Sequence, residues 1–89
     1  MKTGTVTVVN RLGMHARPSA LLVTTATKYE SEIFLTRDGT RVNGKSIMGV
    51  MMLAAEKGSE ILVEADGPDE ETAFKAVVGI IKSGFGEDE

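Results

Sequence analysis

Alternation of apolar and polar residues, which is typical of half-buried strands, predicts four β-strands in this chain. They span residues 3–9, 31–37, 40–43 and 60–66. Only Asp38 and Gly39 separate the second strand from the third. This two-residue sequence is typical of a type I′ turn, so we expect these strands to form a hairpin.

Helical spacing of apolar positions predicts three helices. The first runs from about residue 16 to residue 27, with Pro18 in its first turn, where the missing N–H costs nothing. The second is short, over residues 47–53, and Ser46 is its candidate N-cap. The first helix is expected to present one face that carries Ala20, Leu21, Val23, Thr24 and Thr27.

The third helix is predicted to begin at an acidic cluster and to end at Gly84, a natural C-terminal stop. Asp69 is its candidate N-cap, and Glu70 and Glu71 favour the positive end of the helix dipole. Its expected buried stripe consists of Ala73, Val77, Ile80 and Ile81. We expect the acidic residues 87–89 to form a flexible, solvated tail.

The predicted order is β-α-β-β-α-β-α. Single apolar stripes on the strands and the central hairpin indicate an α+β fold, with an antiparallel or mixed four-stranded sheet covered by helices on one face. A length of 89 residues predicts one domain, residues 1–89.

Composition removes several classes of site. The chain has no cysteine and one histidine, which excludes disulfide scaffolds, thiol nucleophiles and multi-histidine metal sites within one chain. No apolar run approaches the roughly 20 residues of a membrane span, and no secretory signal begins the sequence. We therefore expect a cytoplasmic protein without membrane insertion.

Charge is unevenly distributed along the chain. The net charge is −3, but residues 1–50 carry seven basic and three acidic side chains, whereas residues 51–89 carry three basic and ten acidic ones. A basic half in an acidic protein with 4% aromatic residues favours docking to an acidic protein over binding to nucleic acid.

The single histidine, His15, lies in a glycine-containing loop directly before the first predicted helix. A lone histidine is more often structural than functional. Here, however, a helix N-terminus offers unpaired N–H groups to an anion, and Ala16 and Arg17 are the candidate donors. The Arg17 guanidinium also matches the geometry of a phosphate.

An imidazole beside such an anion site can attack a phosphoryl group, whose oxygens the amides and Arg17 then hold. The sequence offers no second histidine, thiol or motif-placed carboxylate to serve as a base for turnover. A protein that accepts a phosphoryl group and passes it on needs only the nucleophile and the anion site.

Two segments resemble one known family. Residues 10–20 (NRLGMHARPSA) resemble the active-site signature of the histidine-containing phosphocarrier family, HPr, and residues 45–51 (KSIMGVM) resemble the second helix of that family. Length and element order fit as well, so the resemblance covers the whole chain. It implies an open-faced β-sandwich, in which three helices cover one face of a four-stranded antiparallel sheet.

The resemblance also implies a function. A phosphoryl group derived from phosphoenolpyruvate would pass from Enzyme I to the Nδ1 atom of His15, with Arg17 stabilising it, and then to Enzyme IIA proteins of the sugar phosphotransferase system. The protein would be a stoichiometric carrier rather than an enzyme, and would need no metal or cofactor.

Ser46 has two readings that the sequence leaves open. As an N-cap it contributes about 1 kcal/mol to stability. The resemblance implies a second role, because in some bacteria an HPr kinase/phosphorylase phosphorylates the matching serine. Such a phosphate would be tolerated at the helix N-terminus and would act on docking instead.

The second helix is apolar nearly all round. It could simply be buried. We expect instead an exposed docking patch, because methionine-rich surfaces adapt to several partners. The expected patch consists of Ala20, Leu21, Ile47, Met48 and Met51, with Arg11, Arg17 and Lys45 at its rim.

Two features leave the branch of the family open. Leu12 and residues 83–85 resemble the nitrogen-related branch, NPr, whereas the Ser46 segment resembles kinase-regulated HPr. An alternative function is a regulatory binding module of the same fold that acts through Ser46 and the methionines. A small hydrolase of the acylphosphatase type is disfavoured, because it would need a water-activating group near the anion site.

Overall fold

A computed structural model describes residues 1–87 and confirms the predicted order of elements. The strands are β1 (Lys2–Thr7), β2 (Glu32–Arg37), β3 (Thr40–Asn43) and β4 (Glu60–Asp66). The helices are α1 (Ala16–Ala26), α2 (Ile47–Met52) and α3 (Glu70–Lys82), followed by a short turn at Gly84–Gly86. None of the helices within residues 1–87 has the length and apolar character to cross a membrane.

The four strands form one antiparallel sheet in the order β1-β4-β2-β3. Each strand alternates between a buried face and a more exposed one, and the helices cover the buried face. β1 ends two residues earlier than predicted, although Val8 continues the pairing by donating its N–H to the Ser59 carbonyl at 2.9 Å. The fully buried sheet residues include Ile33, Leu35, Ile61 and Val63.

The predicted hairpin is present. Arg37 of β2 pairs with Thr40 of β3 across a two-residue turn. Both turn residues have positive φ, 48° at Asp38 and 82° at Gly39, as a type I′ turn requires.

The expected face of α1 is wrong. The helix buries Pro18, Ser19, Leu22 and Ala26, whereas Ala20, Leu21, Thr24 and Thr27 are exposed and Val23 is half-buried. The buried positions follow the i, i+4, i+8 spacing of one helix face. Adjacent leucines at 21 and 22 make the two faces hard to distinguish from sequence. Ser19 is accommodated inside because its hydroxyl donates to the Met14 carbonyl at 2.9 Å.

The start of α3 is built differently from the expectation. Asp69 occupies the N-cap position, but its side chain makes no bond to the helix. Its carboxylate instead accepts from the backbone N–H groups of Glu30 and Ser31, at 3.0 and 2.9 Å, and from the Ser31 hydroxyl. Asp69 therefore ties α3 to the loop before β2.

The predicted buried stripe of α3 holds for Ala73, Val77 and Ile81, whereas Ile80 is only partly buried. Ser83 ends the helix, and the next three residues form a left-handed turn, with φ of 72° at Gly84, 59° at Phe85 and 71° at Gly86. A bulky residue in this region costs roughly 1–2 kcal/mol. Burial of the Phe85 side chain in the core, at 6% exposure, offsets that strain.

Candidate functional site

The loop before α1 is fixed by Gly13. This residue has φ of 69°, and its N–H donates to the Asn10 carbonyl at 3.1 Å. The next N–H, of Met14, donates to the Ala55 carbonyl at 2.8 Å. A Cβ at position 13 would lie 2.4 Å from that carbonyl oxygen, so the close approach of the two loops requires glycine.

His15 is the N-cap residue of α1, with φ of −74° and ψ of −172°. Its carbonyl accepts the N–H of Ser19 at 3.0 Å, which begins the helix. Its side chain makes no capping bond. The imidazole therefore lies at the end of the helix and is 37% exposed, but it does not cap the backbone N–H groups.

The backbone donors of the predicted anion site lie at this end of the helix. Within residues 1–87, the N–H groups of Ala16 and Arg17 have no hydrogen-bond acceptor. The first turn contains no acidic residue that would compete for them. The side chain of Arg17 is exposed and makes no ion pair or hydrogen bond with the described part of the chain. The His15 imidazole, the two amides and the Arg17 guanidinium therefore belong to one short segment.

Two further residues at this site have no predicted role. Asn10 is buried, and its Nδ2 donates both to the Gly13 carbonyl at 2.7 Å and to Oε1 of Glu87 at 3.0 Å. The second carboxylate oxygen, Oε2, lies 3.2 Å from Nε2 of His15. The expectation of a solvated tail is therefore wrong at Glu87, whose side chain is 20% exposed, while Asp88 and Glu89 lie outside the described residues.

The two ring nitrogens of His15 have different surroundings. Nε2 is enclosed and lies within ion-pair distance of Glu87, but the approach is too oblique for a hydrogen bond in this conformation. Nδ1 has no hydrogen-bond partner within residues 1–87. Because Nε2 is enclosed, the exposed part of the side chain belongs to the remaining ring atoms. Nδ1 is therefore the nitrogen left to meet an incoming group.

A shallow depression lies between α1 and the C-terminal turn. Arg17 and Glu87 both line it, together with apolar side chains of Leu21 and Phe85. The cation and the carboxylate thus face a common space at the edge of the site. Within residues 1–87, no group of three potential ligand side chains is arranged to hold a metal ion.

Ser46 is the N-cap of α2, as predicted. Its hydroxyl accepts the N–H of Gly49 at 3.1 Å, and the residue is half-buried. Lys45, which we expected at the rim of the docking patch, is otherwise engaged, because its ammonium group donates to the Tyr29 carbonyl at 2.7 Å. Arg11 is exposed, as expected.

The expected docking patch is exposed. Leu21, Ile47 and Met51 are 40–44% exposed, and Met48 reaches 73%. α2 packs against α1, which places these side chains on neighbouring helices, and only Val50 of α2 is buried. Leu12 and Met52, at 65% and 71%, are further exposed apolar side chains that the prediction did not include.

An α+β fold with one histidine at an uncapped helix N-terminus, beside amides and an arginine that have no partner within residues 1–87, is the arrangement expected of a protein that carries a phosphoryl group. Comparison with known proteins gives the same class. Residues 2–83 match the family model described as the PTS HPr component phosphorylation site.

Individual relatives agree. The chain is 49% identical to the phosphocarrier protein HPr of Neisseria meningitidis over 84 residues, which is 94% of each chain. It is 49% identical to HPr of Treponema pallidum over 88 residues, which is 99% of this chain and all of the relative. The crystal structure of HPr-C-His from Thermoanaerobacter tengcongensis superposes with a TM-score of 0.96 at 47% identity, over the full length of both chains.

The chain therefore belongs to the HPr family. It is a phosphocarrier protein of the phosphotransferase system, and its partners are components of that system.

Proposed function

We propose that Nδ1 of His15 is the atom that carries the phosphoryl group. Enzyme I, charged by phosphoenolpyruvate, is the donor, and Enzyme IIA proteins are the acceptors. The observation that carries this proposal is the uncapped start of α1, where His15 is the N-cap residue and the N–H groups of Ala16 and Arg17 lack acceptors within residues 1–87.

The transfer needs no base. The lone pair of Nδ1 attacks phosphorus, the bond between phosphorus and the donor breaks, and the proton on Nε2 stays in place. The Ala16 and Arg17 amides and the Arg17 guanidinium offset the charge of the phosphoryl oxygens. In the onward transfer, a nucleophile of the acceptor attacks phosphorus and the bond between phosphorus and Nδ1 breaks. The protein ends each cycle unchanged, and we propose that it acts as a stoichiometric carrier rather than as an enzyme.

Docking uses the exposed apolar side chains next to the site. The proposed docking surface consists of exposed apolar side chains on α1 (Ala20 and Leu21) and on α2 (Ile47, Met48 and Met51). Its methionine side chains can repack against different partners. Arg11 and Arg17 add exposed positive charge at its edge. This surface suits acidic proteins that have an apolar centre at their binding face.

Ser46 is proposed as a site of regulation by an HPr kinase/phosphorylase. It adjoins Ile47, the first apolar residue of α2. A phosphate there would add a charge of about −1.5 to −2. Since the helix N-terminus tolerates negative charge, we expect the fold to persist and docking of acidic partners to weaken.

We further propose that residues 1–89 act as one unit in the cytoplasm. The sheet and its three helices share one core, to which all four strands or their flanking loops contribute.

Incubation with phosphoenolpyruvate and Enzyme I from the protein's own source, followed by intact-mass measurement before and after acid treatment, tests the proposal. We expect one added phosphoryl group that acid removes. His15→Ala should take up none, whereas the matched control Ser46→Ala should behave like the unmodified protein. Uptake by His15→Ala, or none by the unmodified protein, would overturn the proposal.

A further inference from the structure

We propose that Glu87 is a positioning residue that holds the His15 ring in the tautomer with its proton on Nε2, so that Nδ1 presents a lone pair. The inference rests on the proposed role of His15. It assigns a part in phosphoryl acceptance to the C-terminal segment, which lies 72 residues further along the chain.

The carboxylate of Glu87 is delivered by the turn at Gly84–Gly86. Three successive residues with positive φ reverse the chain after α3, and Phe85 is anchored in the core. The Glu87 N–H then donates to the Gly84 carbonyl at 3.1 Å. With its backbone tied to this turn and its side chain 80% buried, Glu87 is held against the loop that carries His15.

Asn10 fixes the orientation of the carboxylate. Its Nδ2 donates to two acceptors, the Gly13 carbonyl and Oε1 of Glu87, so the amide cannot be flipped without opposing oxygen to oxygen. Oε1 is thus occupied as an acceptor. Oε2 remains, 3.2 Å from Nε2 of His15.

A carboxylate oxygen can only accept, so it selects the protonation of the atom it faces. If Nε2 were unprotonated, its lone pair would face the lone pairs of Oε2, and the two atoms would repel each other away from solvent. A protonated Nε2 is attracted to Oε2, and a small rotation of the ring would turn the present oblique contact into a hydrogen bond. The second arrangement leaves Nδ1 unprotonated.

The same contact serves the transfer itself. When the bond between Nδ1 and phosphorus forms and the donor bond breaks, the ring gains positive charge while keeping its Nε2 proton. The anionic carboxylate of Glu87 lies beside that proton and stabilises the charged ring. When the phosphoryl group leaves, the charge disappears and the proton remains.

Substitution Glu87→Gln tests the inference with little change of shape. Asn10 would donate to the side-chain oxygen of the glutamine, so the NH₂ group of the glutamine would face Nε2 of His15. A donor there favours an unprotonated Nε2 and a proton on Nδ1. Glu32→Gln is the matched control, because Glu32 is exposed and distant from His15. It pairs with Asp66 at the end of β4, whereas the His15 loop lies near the beginning of that strand.

The readout is the ¹⁵N spectrum of ¹⁵N-histidine-labelled protein, at a pH where the ring is neutral. His15 is the only histidine, so both ring nitrogens are assigned without ambiguity. We expect the Nε2–H tautomer in the unmodified protein and in Glu32→Gln. Glu87→Gln should shift the tautomer ratio about tenfold toward Nδ1–H, the size expected when a charged acceptor within ion-pair distance of Nε2 is replaced by a donor. Phosphoryl acceptance should slow by roughly the same factor.

An unchanged tautomer ratio in Glu87→Gln, with the fold intact by circular dichroism, would overturn the role of Glu87. Because the spectrum is measured on unphosphorylated protein, this outcome is independent of whether the unmodified protein accepts a phosphoryl group. Failure of the unmodified protein to accept one would instead refute the proposed function of His15.

Discussion

The N-terminal ends of α1 and α2 differ in how their backbone donors are satisfied. At α2, the Ser46 hydroxyl accepts the Gly49 N–H at 3.1 Å and closes the helix. At α1, His15 stands in the same position but makes no capping bond, and the Ala16 and Arg17 amides have no acceptor within residues 1–87. Orphan donors at a helix end cost stability unless water or a ligand satisfies them. At α1 the N-terminal amides of the described chain are left without a side-chain cap, as the proposed anion site requires.

A third helix start makes the contrast sharper. At α3, Asp69 is diverted to the loop before β2, while Glu70 reaches back to accept the Gly67 N–H at 3.1 Å. Two of the three starts therefore use side chains of their own segment for stability. Among the described residues, only the start of α1 has no side chain that accepts a backbone N–H, and it is the start that carries the histidine.

Of the changes at the helix starts, charge reversal at Arg17 should have the largest effect on phosphoryl acceptance. Arg17→Glu places a carboxylate where we propose that the phosphoryl oxygens bind, and we expect phosphoryl acceptance to fall about 10²-fold or more. Stability should change little, because Arg17 is exposed and has no partner within residues 1–87. Rapid-quench measurement of the acceptance rate checks this, with Arg11→Glu as the matched control. An acceptance rate equal to that of Arg11→Glu would refute the role of Arg17.

The loop that presents His15 should be the next most sensitive point. Gly13→Ala combines positive φ with a Cβ 2.4 Å from the Ala55 carbonyl oxygen, and should destabilise the fold by about 3 kcal/mol. Gly39→Ala also has positive φ but meets no atom within 4 Å, so its cost should be about 1 kcal/mol. Urea unfolding of both variants measures the difference. Equal costs would show that the close approach at Gly13 is unimportant.

Removing the cap of α2 should have a smaller and purely structural effect. Ser46→Ala is expected to lower the free energy of unfolding by about 1 kcal/mol. The rate of phosphoryl acceptance should stay unchanged, because the hydroxyl acts on α2 and not on His15. Ser46→Asp should retain the cap and weaken docking of an acidic partner, as titration calorimetry would show. Slower acceptance in Ser46→Ala would show that the starts of α1 and α2 are coupled, and would contradict their separate roles.

The carboxylates at the start of α3 should affect the free energy of unfolding only at acidic pH. The Ser31 hydroxyl and the Glu30 N–H lower the pKa of Asp69, and the Gly67 N–H and the Met1 amino group lower the pKa of Glu70. A group with a lowered folded-state pKa stabilises the fold above its unfolded pKa and loses that contribution as pH falls through the folded value. Stability should therefore decline as pH drops below about 4, the ordinary range of these carboxyls.

Urea unfolding between pH 2 and pH 7 measures this decline. Asp69→Asn should flatten it, whereas Asp38→Asn, at an exposed turn position, should not. If Asp69→Asn leaves the pH profile unchanged, the bonds to Ser31 and Glu30 are not coupled to stability.

The sequence is sufficient to predict the fold because its signals are local. A two-residue type I′ turn requires positive φ, which Asp38 and Gly39 tolerate, and β4 and the α3 stripe follow clear periods of 2 and 3.6 residues. The face of α1 was not predictable in this way, because Leu21 and Leu22 are adjacent and the remaining positions are small or hydroxylated. Packing under the sheet, and the bond from Ser19 to Met14, decide which face is buried.

The same distinction holds at the site. His15, Ala16 and Arg17 are consecutive, so their proximity follows from the sequence alone. Asn10 and Glu87 are 77 positions apart, and their contact depends on the left-handed turn at Gly84–Gly86. Nothing local in an acidic C-terminal segment distinguishes a carboxylate that packs against a histidine from one that faces solvent. Asn10 does lie in the recognisable 10–20 segment, but its buried position is set by the tertiary structure.

The most direct test of the account is to locate the phosphoryl group on the ring. ¹⁵N-histidine-labelled protein, phosphorylated with Enzyme I and phosphoenolpyruvate, should show coupling between ³¹P and Nδ1 of His15, and a proton on Nε2. Coupling to Nε2, or a phosphoryl group that shows no coupling to either ring nitrogen, would contradict the proposal that the uncapped start of α1 carries it.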